Sequence, residues 1–168
     1  MGFEPTPTRL QKTYPVILAL IGSGTLLAVY IAEYIFNYEP CKLCLIQRIP
    51  YAGIAVIGWI GLKHPNWLSA GNLTAIAGFV FLAGSAIAIY HVGIEQQLWQ
   101  SALECDGKLS QQISSNQLIQ MLNQKPPKPC NTVDWTLFGI SMATYNAFFS
   151  LIWAGITFNV AQRLWKSS

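Results

Sequence analysis

The stretch EPCKLCLIQRIPYAG, residues 39–53, joins two thiols to the start of an apolar run. Cys41 and Cys44 stand in a C-x-x-C spacing, and Arg48 follows four residues after the second cysteine. The run then continues to about Leu62 without a charged residue. Such a run is typical of a membrane helix, because a hydrocarbon core needs roughly 20 apolar residues to be crossed. The stretch therefore places a dithiol and a guanidinium at the mouth of a predicted membrane helix.

The rest of the chain also has the composition of a membrane protein. Of 168 residues, 52% are hydrophobic and only 10% are charged, against roughly 25% charged in soluble domains. The apolar runs predict four spans, at about 15–36, 45–62, 73–92 and 136–161. Because strand alternation is absent, we expect an all-α membrane protein. The expected architecture is a four-transmembrane-helix bundle in a single integral domain, 1–168, with a long loop at about 93–135 between helices 3 and 4. Small residues within the spans, such as Gly22 and Gly58, favour close helix packing.

The distribution of charge predicts the orientation of these spans. The net charge of +3 is too small and scattered to indicate a nucleic-acid partner. Five positive charges lie near helix ends on the side of the two termini: Arg9, Lys12, Lys63, Arg163 and Lys166. The positive-inside rule then places both termini in the cytoplasm. All four cysteines, Cys41, Cys44, Cys105 and Cys130, fall on the other side, where disulfides persist.

The C-x-x-C spacing alone leaves several roles open, namely redox dithiol, zinc site or haem attachment. Haem attachment is excluded because Leu45, not histidine, follows Cys44. Cys105 and Cys130 are 25 positions apart and form no second zinc knuckle, so no metal site is predicted. A disulfide across C-x-x-C restrains the unfolded chain little, which favours chemistry over a structural role for that pair. For Cys105 and Cys130 a structural disulfide is a better alternative.

The position of the first pair also favours chemistry. A helix that begins near Cys41 places Cys44 in its first turn, where exposed N–H groups and the helix dipole stabilise a thiolate. Arg48 lies on the same face one turn later. It either supports the thiolate and binds a carbonyl oxygen of a lipid-soluble partner, or it anchors the helix by snorkelling. Glu33, near the outer end of the first span, is expected to be a solvated helix-end residue, the alternative being a proton relay.

Three segments resemble a known family: PCKLCLIQR at 40–48, YHVGIEQQLW at 90–99 and PCNTVDWTLFGISMATYNAF at 129–148. They are similar to the corresponding stretches of the disulfide bond formation protein B family, DsbB, and the resemblance covers nearly the whole chain. Members reoxidise the periplasmic thiol oxidase DsbA and pass the electrons to a membrane quinone. The resemblance implies a multi-pass protein of the bacterial inner membrane, with its cysteines on the periplasmic side. Its partners are a DsbA-like oxidase, the lipid bilayer and a quinone, either ubiquinone or menaquinone.

The resemblance also implies catalytic roles for the four cysteines. Cys41 and Cys44 match the membrane-proximal redox pair, and Cys105 and Cys130 match the loop pair that meets DsbA. In the implied order, a DsbA thiolate attacks the Cys105–Cys130 disulfide, and the reduced loop pair then reduces the Cys41–Cys44 disulfide. Cys44 finally passes the electrons to quinone.

The same resemblance implies a quinone site at Cys44, Arg48 and His91. Arg48 matches the arginine beside the quinone, and His91 falls where members often have a histidine. Gln47 stands at a variable position and receives no role.

Two rival readings stay open. A relative of vitamin K epoxide reductase would also pair thiols with quinone, but there the redox pair lies near the last span, whereas here it opens the second. A membrane scaffold with two structural disulfides would reduce no quinone.

Overall fold

The computed structural model describes residues 7–64, 68–99, 130 and 136–166. Within them the elements are α1 (Pro7–Tyr34), α2 (Lys42–Ile46), α3 (Arg48–Lys63), α4 (Ala70–Glu95), β1 (Thr136–Leu137), β2 (Ile140–Ser141) and α5 (Met142–Lys166). Cys105 and most of the predicted loop at 93–135 lie outside the described residues. The described part of the chain is mostly helical, as expected of an all-α membrane protein.

The first helix starts before the predicted span at 15–36. Pro7 is the first residue of α1, where its missing N–H removes no helical hydrogen bond and its fixed φ suits the helix. Pro15 lies inside the helix and leaves the carbonyl of Gln11 without its usual backbone donor. The segment of α1 before Pro15 is polar, and the apolar part of the helix follows it.

The second predicted span is interrupted near its start. α2 ends at Ile46, and Gln47 is both its C-cap and the N-cap of α3. Pro50 explains the interruption, because a proline cannot donate to the carbonyl four residues earlier, here Ile46, and its ring clashes with that carbonyl. Proline is tolerated in the first turn of the new helix, which is where Pro50 stands.

The last helix begins at Met142 rather than near residue 136. The preceding strands β1 and β2 pair antiparallel, with Leu137 opposite Ile140. The two residues between them, Phe138 and Gly139, have φ of 52° and 79°, as a two-residue hairpin turn with positive φ at both central positions requires. The backbone N–H of Thr144 then donates to the hydroxyl of Ser141 at 3.2 Å, which caps the start of α5.

The four long helices pack as two pairs, α1 on α3 and α4 on α5, and α3 joins the pairs through α4. The close approach that the small residues predict is confirmed between α1 and α3. A Cβ on Gly22 would collide with the backbone of Ala55, and one on Gly58 would collide with the backbone of Ala19. In lipid, such contacts bring helix backbones within van der Waals reach along their length.

Polar contacts close the end of the bundle that carries the termini. The hydroxyls of Tyr14 on α1 and Thr157 on α5 are 2.7 Å apart in a buried hydrogen bond. The indole N–H of Trp165 donates to Asn72 Oδ1 at 2.9 Å, which joins the end of α5 to the start of α4. The catalytic candidates lie at the opposite end, where α1 and α4 finish and α2 and α5 begin.

Three helical segments of the described chain are long and apolar enough to cross a membrane: Arg9–Tyr34, Lys42–Lys63 and Ala70–Glu95. The fourth helix, α5, is 25 residues long but is not among them. Its sequence contains Asn146, Ser150, Thr157 and Asn159, which lower its mean hydropathy.

Candidate functional site

The C-x-x-C pair adopts the geometry of a dithiol at the start of α2. Cys41 is the N-cap residue, and its sulfur accepts the backbone N–H of Cys44 at 3.3 Å. The Cys41 thiol donates to Cys44 Sγ at 3.1 Å, well beyond the roughly 2.05 Å of a disulfide. This geometry suits the dithiol form, in which the Cys41 thiol donates to Cys44, and it brings the two sulfurs close to the positions that a disulfide requires.

The two thiols differ in environment. Cys41 is buried, with 4% of its surface exposed, whereas Cys44 is half-buried. The hydrogen bond to the Cys44 side chain, together with burial, raises the pKa of Cys41 to about 12, and the contact with His91 opposes the shift. Cys41 therefore holds its proton more tightly than an ordinary thiol does, and its hydrogen bond is directed at Cys44 Sγ.

Cys130 packs into the same cluster as the pair. This cluster contains Cys41, Leu43, Ile94 and Cys130 as buried members, with Cys44 at its border. Cys130 is only 1% exposed. The predicted loop cysteine therefore lies in the same packed group as the membrane-proximal pair, while Cys105 lies outside the described residues.

His91 stands beside Cys41 near the end of α4. Its Nε2 is 3.7 Å from Cys41 Sγ and 3.8 Å from Oε1 of Glu95. The ring is buried. In the reduced form, the two sulfurs of the pair and a nitrogen of His91 lie within 4.8 Å of one another, a ligand set that zinc accepts. Oxidation of the pair to a disulfide removes that ligand set.

A chain of hydrogen bonds leads from His91 into the bundle. The side-chain amide of Gln47 contacts His91 Nδ1 at 3.1 Å, and Asn146 Nδ2 donates to Gln47 Oε1 at 2.9 Å. The Ser150 hydroxyl donates to Asn146 Oδ1 at 3.2 Å, and the Tyr51 hydroxyl donates to the same oxygen. The chain thus joins α4, the α2–α3 break, α5 and α3 at the thiol end of the bundle.

Arg48 forms an ion pair with α1. Its Nη1 is 2.6 Å from Oε2 of Glu33, and its guanidinium lies 5.0 Å from the ring centre of Tyr30. Tyr30 stacks on Tyr34, with the ring centres 6.1 Å apart. Both tyrosines are partly exposed on the outer surface of the bundle. Glu33 is therefore a counterion of Arg48 and not the solvated end residue that the sequence predicts.

Sequence reasoning did not predict the ion pair of Glu33 and gave no role to Gln47 or Asn146. A signal for two of them was present, because polar residues inside apolar helices are expensive in lipid and usually face the bundle interior. Asn146 and Glu33 meet that description. Gln47 gave no comparable signal, since its burial depends on packing against His91 and Asn146.

Comparisons with known proteins show the family to which the chain belongs. A family model described as disulfide bond formation protein DsbB matches residues 11–160. A protein named disulfide bond formation protein B from Acinetobacter baumannii is 30% identical over 86% of this chain and 85% of its own length. Another of that name, from Stutzerimonas stutzeri, is 26% identical over 77% of this chain and 82% of its own.

An uncharacterised protein of Rickettsia prowazekii is 30% identical over 83% of this chain and 81% of its own length. No solved structure matches the chain significantly. The family match extends from the first turns of α1 to the last turns of α5 and includes the dithiol, Arg48 and His91. The chain therefore belongs to the DsbB family, whose members are multi-pass inner-membrane oxidoreductases of disulfide bond formation.

Proposed function

We propose that this protein reoxidises a periplasmic DsbA-like thiol oxidase and passes the electrons through two cysteine pairs to a membrane quinone. The observation that carries the proposal is the cluster at the thiol end of the bundle. It brings Cys130 against the Cys41–Cys44 pair, in a chain that belongs to the DsbB family. Exchange between two cysteine pairs requires a thiolate to reach a disulfide sulfur directly. The packing of Cys130 and Cys41 in one buried cluster supports such a contact.

The electrons enter at the loop pair. The partner's dithiol reduces the Cys105–Cys130 disulfide, so that the partner gains a disulfide and the loop gains two thiols. Cys130 then attacks Cys41 of the Cys41–Cys44 disulfide, forming a Cys41–Cys130 bond and releasing Cys44 as a thiolate. Attack of Cys105 on Cys130 restores the loop disulfide and leaves Cys41 and Cys44 as the dithiol.

The environments of the two membrane-proximal sulfurs support different roles for them, with Cys41 exchanging with Cys130 and Cys44 facing the electron acceptor. Cys41 is the buried sulfur that packs with Cys130. Cys44 is half-buried, and it accepts the hydrogen bond of the Cys41 thiol. A donor directed at a thiolate stabilises it, so Cys44 is suited to be the sulfur that faces the electron acceptor.

The residues near Cys44 fit a quinone. A quinone is a flat ring with two carbonyl acceptors, and it takes up two electrons and two protons. Tyr30 and Tyr34 offer a partly exposed aromatic surface beside Arg48, and a guanidinium has five N–H donors. The ion pair with Glu33 uses Nη1, which leaves donors for a carbonyl oxygen. Cys44, Arg48 and His91 would hold the ring, whether it belongs to ubiquinone or menaquinone.

The same proposal places all four long helices across the membrane, including α5. The polar residues that lower the hydropathy of α5 include Asn146, Ser150 and Thr157, which bond to other helices. Large apolar side chains cover its exposed face, among them Phe148, Leu151 and Ile152. This arrangement is typical of a span whose polar groups face the bundle. Both termini then lie in the cytoplasm and the four cysteines face the periplasm.

The proposal is tested with the full-length protein purified in lipid nanodiscs. Reduced DsbA-like oxidase is added with a soluble ubiquinone or menaquinone analogue, and both thiol loss and quinol formation are followed. We expect one quinone reduced for each dithiol oxidised. Cys44→Ser and Cys130→Ser are each expected to abolish steady-state turnover. A wild-type protein that reduces neither quinone would overturn the proposal in favour of a scaffold.

A further inference from the structure

The buried chain from Tyr51 to His91 runs in one direction, which follows from where the amide oxygens and nitrogens of Asn146 and Gln47 lie. The hydroxyls of Tyr51 and Ser150 donate to Asn146 Oδ1, which turns the amide nitrogen of Asn146 toward Gln47. That nitrogen donates to Gln47 Oε1 at 2.9 Å, so the amide nitrogen of Gln47 faces His91. The contact of 3.1 Å at His91 Nδ1 is therefore a hydrogen bond donated by Gln47.

The hydrogen bond that Gln47 donates to Nδ1 determines which ring nitrogen of neutral His91 carries the proton. Neutral histidine has one ring nitrogen that donates and one that accepts. If Gln47 donates to Nδ1, that nitrogen is the acceptor, and the proton stands on Nε2. The groups that face Nε2 agree with this assignment, because the carboxylate oxygen of Glu95 lies 3.8 Å away and Cys41 Sγ lies 3.7 Å away. Both are acceptors for an Nε2–H donor.

We propose that Gln47 and Asn146 are positioning residues that hold His91 as its Nε2–H tautomer, with the N–H directed at the sulfur of Cys41. This inference rests on the proposed function, since it gives the tautomer a role in the exchange at Cys41. Neither residue touches the reacting sulfurs in the contacts described here. They act through the imidazole, as the second partner of a catalytic histidine commonly does.

The N–H of His91 has a specific task at Cys41. During turnover this sulfur departs from Cys130 as a thiolate and later forms the disulfide with Cys44. Burial and the bond to Cys44 both disfavour charge on Cys41, whereas the His91 contact favours it. An Nε2–H donor lowers the barrier to each step in which Cys41 carries negative charge. Among the residues that the structure describes, the charged and titratable groups near this ring are Cys41 and Cys44 from the α2 turn, Glu95 on its own helix and Cys130 in the adjoining cluster.

Asn146→Asp tests the inference with almost no change of shape. Both oxygens of an aspartate accept, so the Gln47 amide must rotate to donate to residue 146, which turns its oxygen toward His91 Nδ1. The ring then carries its proton on Nδ1 and loses the donor at Cys41. Gln47→Glu places a carboxylate oxygen at Nδ1 by a separate route and predicts the same reversal. Asn159→Asp is the matched control, because Asn159 is an exposed residue of the same helix whose amide donates to the carbonyl of Gly155.

Nitrogen-15 NMR of histidine-labelled protein in nanodiscs reads the tautomer directly. The chain has 2 histidines, so His64→Gln provides the assignment of His91. We expect protonated Nε2 in the wild type and in Asn159→Asp, and protonated Nδ1 in Asn146→Asp and Gln47→Glu. In the turnover assay, both of the latter variants should lose about ten-fold or more in kcat.

The outcomes separate the inference from the function on which it rests. Protonated Nδ1 in the wild type, or an unchanged tautomer in both variants, would overturn the assignment. A reversed tautomer with unchanged kcat would overturn its role at Cys41. If the wild type turned over no quinone, the proposed function would fall, while the NMR signals would still decide the state of His91.

Discussion

The guanidinium of Arg48 contacts two residues on α1, Glu33 and Tyr30. The carboxylate of Glu33 neutralises it at 2.6 Å, and Tyr30 supports the guanidinium plane at 5.0 Å. Such a partly buried pair contributes little net stability, yet removal of one partner leaves the other charge without a counterion, which is destabilising. Arg48 is therefore both a candidate quinone ligand and the counterion of Glu33, and an experiment must separate these two roles.

We expect quinone turnover to fall in the order wild type, Arg48→Lys, Arg48→Met. Lysine keeps the charge but loses the planar fork, and methionine loses both. Loss of a charged hydrogen bond predicts a rise of about ten-fold or more in the apparent KM for quinone in Arg48→Met, while thiol exchange with the DsbA-like partner is unchanged. Steady-state kinetics against quinone concentration, beside single-turnover exchange, measures the two steps.

The double variant Glu33→Gln/Arg48→Met provides the control for stability. It removes the stranded carboxylate, so it should regain thermal stability relative to Arg48→Met without recovering the KM. A KM that returns with stability would mean that Arg48 is only an anchor of the helix.

Cys41 should stay protonated at a pH where an ordinary thiol ionises. Its folded pKa of about 12 exceeds the ordinary value of about 8.5. This thiol therefore contributes stability that is fully present below about pH 8.5 and is lost as pH rises through about 12. We expect alkylation of Cys41 in the reduced protein to stay slow at pH 9 and to rise only above it. Cys44→Ala removes the main cause and should shift this rise to lower pH.

Cys44→Ser is the matched variant for this experiment, since a serine oxygen still accepts from Cys41. Mass spectrometry of the alkylated peptide follows Cys41 alone in each protein. Equal profiles for Cys44→Ala and Cys44→Ser would show that burial, and not the hydrogen bond, governs the thiol.

Among the elements, the junction between α2 and α3 carries Gln47 into the site. Gln47 has helical backbone angles, with φ of -64° and ψ of -15°, and it is buried between His91 and Asn146. The sequence predicts the thiols, Arg48 and His91 by resemblance, but it does not predict these contacts of Gln47, which depend on packing against α4 and α5. For that reason Gln47 received no role from sequence alone.

The pair α1–α3 offers a test of helix packing. Gly58→Leu pushes a side chain into the backbone of Ala19, and overpacking of this kind typically costs about 1–3 kcal/mol. Gly24→Leu on α1 is the control, because a Cβ there meets no described atom within 4 Å. Thermal unfolding in nanodiscs should show a clear loss for Gly58→Leu and almost none for Gly24→Leu. Equal losses would mean that helix propensity, and not the close approach, sets the difference.

For the whole molecule, the sequence predicts the number and order of long helices better than their ends. The run of apolar residues locates α1, α3 and α4, since the cost of exposing polar groups to lipid leaves a strong pattern. The start of α5 depends on the turn at Phe138 and Gly139, whose effect is local and leaves no periodic signal. The pairing of helices depends on which small residues meet, and several partners were possible for each.

The orientation of the helices in the membrane can be tested by labelling single cysteines. In a cysteine-less variant, a single cysteine at position 63 should be inaccessible to a membrane-impermeant thiol reagent in intact cells. One at position 108 should be labelled. Lys63 lies in the last turn of α3, at the opposite end of the bundle from the dithiol, which makes it a direct marker of the far side. Labelling at 63 but not at 108 would show that the topology is the reverse of the predicted one, and it would exclude a periplasmic partner for the cysteines.

The hydrogen bond from Cys41 to Cys44 has a consequence for the driving force of electron transfer. It exists only in the dithiol form, because the disulfide has no thiol proton to donate. Any contact that favours the dithiol over the disulfide makes the pair a stronger oxidant. At about 1 kcal/mol for such a bond, the reduction potential of the two-electron couple rises by about 20 mV. On the proposed route, the first turn of α2 thereby helps the pair draw electrons from the loop cysteines, with quinone as the stronger acceptor.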